Sequence, residues 1–309
     1  MARTFLQLMQ QACNEISIPE PSAIIGAQDD QSKQLLALAI REGREFSASA
    51  NEKGGWQNLH KEYTFLTEAL PATTGDTVDG SFVITNIPST AGVIAGDWAV
   101  LGDGLPAVGI IASVDSATQI TLTQPCTATA TGVTLNFGKI AYDLPSDFGY
   151  FVQRTFWDGA YRWELLGPIT AQEKQILRYG IIASGPRRKF YVRSNKLWLD
   201  PVPPVNGEVI AYDYYSTAWC ASALGVSQNY WLADTDVYLL DEDAFISGIK
   251  WRFLRAKGLD YAQEKIDYET DCQRIAGRDG GSRDLPIAGG TYGARFLDYD
   301  NIPETNLGH

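Results

Sequence analysis

Residues 139–159 read "KIAYDLPSDFGYFVQRTFWDG". Tyr142, Leu144, Phe148, Tyr150 and Phe151 ask for a buried β face, and Pro145 and Asp147 supply a turn. What precedes this stretch differs in chemistry. Residues 71–138 contain no Lys or Arg, are rich in Thr, Gly, Ala and Val, and alternate in short runs such as "SFVIT" and "QITLT" between turns. That is the pattern of a small all-β sandwich or barrel. With it lifted out, "EYTFLTEAL" at 62–70 runs into "KIAYDLPSDFG", one strand meeting the next as a hairpin. The sequence therefore predicts a β module of 71–138 inserted at a hairpin tip, where extra residues cost little, in a core formed by 1–70 and 139–280.

The core reads as mainly helical. Phe5, Leu8, Met9, Ala12 and Cys13 recur along one helix face before Pro19 and Pro21. In "DDQSKQLLALAIREGREFSAS", Asp29 or Asp30 caps a second helix whose stripe of Leu35, Leu38, Ala39 and Phe46 lies opposite Lys33, Arg41, Glu42 and Arg44. "GPITAQEKQILRYG" offers a Thr170–Glu173 capping box. "RRKFYVRSNKLWLDPVP" and "GEVIAYDYYSTAW" read as strands, with Ser194 and Asn195 as a turn. From 236 to 278 a helix pair breaks at Gly258: Leu240, Ala244, Ile249 and Phe253 mark one stripe, and Tyr261, Ile266, Tyr268, Cys272 and Ile275 the next. The expected class is α+β, a helical bundle with a small antiparallel β region and the inserted module. Residues 281–309, rich in Gly and Pro with scattered aromatics, read as an extended tail.

Composition excludes several functions. The 309-residue chain carries a net charge of -12, which opposes a coat for DNA or anionic membrane, since each phosphate contact needs a cation. No run of 18 or more apolar residues exists, and "MARTFLQLMQQACNEIS" lacks the apolar centre of a signal peptide, so the chain is expected to act without export. Cys13, Cys126, Cys220 and Cys272 lie far apart with only His60 and His309 to assist, a spacing that gives neither a metal site nor a disulfide framework. Two histidines leave little scope for a Ser-His-Asp or Cys-His pair, and no phosphate-cradling glycine loop is present. No cofactor is expected.

Three features have two readings. Arg187, Arg188 and Lys189 could touch DNA or an acidic partner, or simply begin a strand. Trp157, Tyr161 and Trp163 could form a sugar platform, though core packing or a subunit seam is favoured. Asp234, Asp236, Asp241, Glu242 and Asp243 could bind Ca²⁺; lacking the alternating ligands and central glycine of an EF-hand, they are better explained as helix N-terminal charge.

The order "W..L..EYTFLT", "YDLPSDF", "W...YRWELLGPIT", "LWLDPVP", "AYDYYSTAW" and "D.DVYLLDEDAFISGIKWRFLRAKGLDYA" resembles the head-to-tail adaptor proteins of short-tailed bacteriophages. The match is most specific at 142–168 and 234–262. The module, through "ITNIPSTAGVIAGDWAV" and "IASVDSATQITLT", is similar to small β domains of phage virion proteins; the plainest adaptors pass straight through the hairpin. The resemblance implies a non-enzymatic virion protein, made in the host bacterial cytoplasm and placed at the head-to-tail junction. It also implies a ring of about twelve copies that binds the portal protein ring and downstream nozzle, hub or fibre proteins, passes genomic DNA and touches no membrane. Leu285, Tyr292, Arg295, Phe296 and Tyr299 in the tail would engage the portal. The alternatives are a cell-wall glycan hydrolase using paired carboxylates and a receptor- or sugar-binding tail component.

Overall fold

Helix α1 (Phe5–Ile16) buries Phe5, Leu8, Met9, Ala12 and Cys13, the face that their spacing defines. Thr4 and Gln7 close a capping box at its start, and Ser17 ends it in the left-handed region. The computed structural model describes residues 3–49, 55–179 and 187–279. Helix α2 (Asp30–Ser49) begins where Asp29 accepts the Ser32 amide at 2.8 Å. Later in the chain come α4 (Glu242–Lys257), capped by Asp241 and ended at Gly258, and α5 (Ala262–Asp279). Helix α4 packs on α1, α2 and α5 and is buried at Ala244, Phe245, Ile246, Gly248, Ile249, Trp251, Arg252 and Phe253, which makes it the central rod of this part. On α5 only Ile275 is fully buried, and Ile266 faces solvent.

The rest is β structure. The strands are β1 (His60–Leu66), β2 (Thr73–Thr77), β3 (Val83–Ile84), β4 (Trp98–Leu101), β5 (Gly109–Ser116), β6 (Gln119–Leu122), β7 (Ala130–Lys139), β8 (Ala141–Asp143), β9 (Phe148–Phe151), β10 (Trp157–Asp158), β11 (Trp163–Glu164), β12 (Lys189–Arg193), β13 (Lys196–Asp200), β14 (Val209–Ser216), β15 (Cys220–Ala221), β16 (Ser227–Gln228) and β17 (Val237–Tyr238). Helix α3 (Ala171–Tyr179) lies between β11 and β12, started by the Thr170–Glu173 box.

The mainly helical bundle is therefore corrected: 29% of the described residues are helical and 30% are strand, in several antiparallel sheets. Long helices announce themselves through many turns of period. Among the described residues, six of the strands are only two residues long, too short to show any alternation.

The sheet β1-β14-β10-β11, with β9 also on β14, forms one layer, and β12-β13-β8 another. Ser194 and Asn195, both at positive φ, make the β12–β13 turn. Between these layers an aromatic core gathers Phe151, Phe156, Phe190 and Tyr212, with Phe156 and Phe190 stacked at 3.8 Å. The small sheet β16-β15-β17 joins the helical part, where Trp219, Cys220 and Tyr238 enter its core.

Strands β2 to β7 form a sheet in the order β2-β7-β4-β5-β6-β3, and a bridge between Asp76 and Thr85 joins its two ends. The sheet thus closes as a small barrel without open edges. Among the described residues, its core of Ile84, Trp98, Ile111, Leu135 and Phe137 draws on none outside 70–137.

The chain enters and leaves the barrel side by side. The Leu70 amide donates to Phe137 O at 3.0 Å, the Lys139 amide to Glu68 O at 2.8 Å, and their side chains pair at 2.6 Å. The hairpin expected between "EYTFLTEAL" and "KIAYDLPSDFG" extends no further, because β1 pairs with β14 from His60↔Tyr215 to Leu66↔Val209, while β8 pairs with β13. A second apolar joint of Ala99, Ile140 and Val202 seats the barrel on the core.

Candidate interaction surfaces

The basic run is divided by the fold. Leu166 bridges to Lys189, with the Leu166 amide on Arg188 O and the Phe190 amide on Leu166 O, both 3.0 Å. This turns Arg188 inward. Its Nη1 donates to Asp158 Oδ2 at 2.6 Å and its Nη2 to Glu208 Oε2, and the three side chains are 5%, 3% and 10% exposed. Asp158 Oδ1 also accepts the Ala160 and Tyr161 amides at 2.9 and 3.1 Å. Arg188 is thus a clasp between the β10–β11 turn, the start of β12 and the residue before β14, with its charge spent inside the protein. Lys189 stands half-buried opposite Asp200, and Arg187 is exposed.

The aromatic group is not core. Trp157, Tyr161 and Trp163 are 49%, 50% and 42% exposed. The Tyr161 and Trp163 rings stack at 6.1 Å, and the Arg188 guanidinium lies 5.3 Å from the Tyr161 centroid, a stack that fixes the hairpin while leaving its outer side in water. Trp157 faces the other way. It sits opposite Ala211, next to the cross-strand pair Leu66 and Val209, which are 54% and 41% exposed.

The acidic group is consumed by main-chain donors. Asp234 Oδ1 accepts the Ile24 and Ile25 amides at 3.1 and 2.9 Å, and Asp236 Oδ2 accepts those of Leu232 and Ala233 at 2.7 and 2.9 Å. Asp241 caps α4, while Glu242 and Asp243 hold Arg3 at 2.5 and 2.7 Å. These carboxylates tie α1, the segment before α2 and α4 into one unit.

Two features escaped the sequence reading. Glu42, assigned there to the polar face of α2, is fully buried: Arg252 Nε donates to it at 2.6 Å and Tyr268 Oη at 2.7 Å. Gly248 on α4 was the available signal, since a Cβ there would lie 2.2 Å from the Glu42 carboxyl carbon. The second is the β15–β16 hairpin, where Leu224 is 93% and Val226 61% exposed. Its signal was the absence of any charged residue from 214 to 233.

Leu285, Tyr292, Arg295, Phe296 and Tyr299 lie outside the described residues. Among the described residues no helix is long and apolar enough to cross a membrane. Comparison with protein-family models and with curated proteins finds no match.

Proposed function

We propose that this protein is a structural component of a bacteriophage head-to-tail junction, a non-enzymatic adaptor that assembles as a ring on the portal and passes DNA toward the tail. The observation that carries the reading is spatial. The separated segments that resemble adaptors meet in one core, with "EYTFLT" in β1 against "AYDYYSTAW" in β14, and "YDLPSDF" against "LWLDPVP" through β8 and β13. The stretch outside the resemblance closes on itself as a barrel.

Charge supports the same reading, because a chain of net charge -12 is poorly suited to hold phosphates. The portal ring, nozzle, hub or fibre proteins and further copies of the chain are the partners, and the tail from 281 to 309 is the portal-binding element. The test is light scattering behind a sizing column, on the protein alone and after mixing with its portal ring. A small species that becomes a stoichiometric second ring supports the reading, and indifference to the portal refutes it. Truncation of 281–309 is expected to abolish portal binding with an unchanged circular dichroism spectrum.

A sugar-binding tail component is the second reading, favoured by the exposed stack of Tyr161 and Trp163. Glycan-array binding lost on Trp163→Ala would support it.

A further inference from the structure

Strand β1 has one unpaired side. The Thr67 amide donates to Glu208 O at 2.8 Å, while Val209 O and Asp213 O accept the Gly159 and Val152 amides on the opposite side of β14. Antiparallel bonding alternates, so in this register Lys61, Tyr63 and Phe65 bond to β14, and Glu62, Thr64 and Leu66 turn their N–H and C=O groups outward. Among the described residues none of these six groups has a hydrogen-bond partner, and β1 is the longest strand paired on one side only. It contains no proline and no bulge. Its edge opens on a groove of about 570 Å³ lined by Tyr63, Phe65, Glu68, Lys139, Tyr142 and Asn206. Three donors and three acceptors over roughly 13 Å are a template for one more strand.

Position selects the occupant. The described chain ends at Asp279, whose carboxylate accepts the Gln57 amide at 2.8 Å, just before β1 begins at His60. Residues 280–309 therefore start from the His60 end of the open edge. From Asp279 to Arg295 the chain can span up to roughly 50 Å, about twice the length of β1.

Sequence selects the segment. Pro286 and Pro303 cannot donate to a ladder, and Gly289, Gly290 and Gly293 weaken one. The run between them with β-forming side chains is "ARFLDY" at 294–299, with Phe296, Leu297 and Tyr299. Laid along β1 in the direction of exit, it brings Arg295 beside Glu62. Glu62 has no ion pair among the described residues, and Asp213 opposite it makes this face acidic. Phe296 and Asp298 then turn to the groove side, which carries Tyr63, Phe65 and Lys139.

We propose that residues 295–299 of the same chain add to β1 as a parallel strand and close its open edge. This contact does not depend on the adaptor reading.

The test is backbone hydrogen exchange, read residue by residue on the full chain. The Glu62, Thr64 and Leu66 amides are expected to exchange at least about tenfold more slowly than in an unstructured peptide, at every protein concentration. Leu297→Pro, which breaks the added strand at its centre, is expected to abolish this protection while Tyr63 and Phe65, bonded to β14, keep theirs. Arg295→Glu is expected to weaken the protection, and Glu62→Lys to restore it in the double variant. Exchange at peptide rates in the wild type, or protection that survives Leu297→Pro, overturns the proposal. Protection that appears only as concentration rises overturns it in favour of the tail of a second copy. Portal binding by a chain with an unprotected edge leaves the adaptor reading and removes this one; a protected edge in a chain indifferent to the portal does the reverse.

Discussion

Glu42 sits enclosed between α2, α4 and α5, where burial pushes its carboxyl up from the usual range against the opposing pull of Arg252 and Tyr268. Such a pair is a matter of partnership: leaving one member alone strands a charge in a dry site. Arg252→Met is expected to cost about 3–5 kcal/mol at neutral pH. Because the fold then favours the protonated acid, the variant is most stable below the unfolded value of about 4.3, and it loses stability as pH rises through the raised folded value. Urea midpoints measured from pH 4 to 8 check both size and sign; a loss of stability toward low pH would contradict the arrangement. Arg188 makes the same point about legibility. In sequence it is the middle of a basic run, and its partners Asp158 and Glu208 are 30 and 20 positions away, so nothing local shows that its charge turns inward.

Elements were legible in proportion to their length and their caps. The α1 stripe, the Thr170–Glu173 box and the Gly258 break all show in the sequence because they depend on neighbours within a turn or two. At the start of α4, Asp241 accepts the Asp243 and Ala244 amides at 3.1 and 2.9 Å. Asp241→Ala is expected to lower stability by about 1 kcal/mol, read as a shift of the urea midpoint with the slope unchanged; a neutral result would show that the α4 amides find water instead. Outside the barrel, the two-residue strands β10, β11, β15, β16 and β17 carry no local signal of their own. They are strands because β14 or a neighbour offers a ladder, and missing them inflated the helical share of the expected fold.

At the scale of the whole molecule, the barrel and the core meet through paired linkers and the joint of Ala99, Ile140 and Val202. Replacing residues 70–138 with an Asn-Gly turn joins Ala69 to Lys139 across strands that already lie side by side. The shortened chain is expected to unfold in one transition, less stable by about 3–6 kcal/mol from exposing Ile140 and Val202 at about 1.5–3 kcal/mol each. Calorimetry decides it, and a broad non-cooperative melt would mean that barrel and core depend on one another to fold.

The sequence by itself determined the helices with their caps, the separate texture of residues 71–138 and the acidic balance, because each is written in neighbouring residues or in a sum over the chain. Only the tertiary structure decided that β1 pairs with β14, that Glu42 and Arg188 are buried, and that Trp157 and Leu224 are exposed. Those outcomes depend on which distant segments meet, and pairing across a sheet or a buried ion pair leaves no periodic trace along the chain.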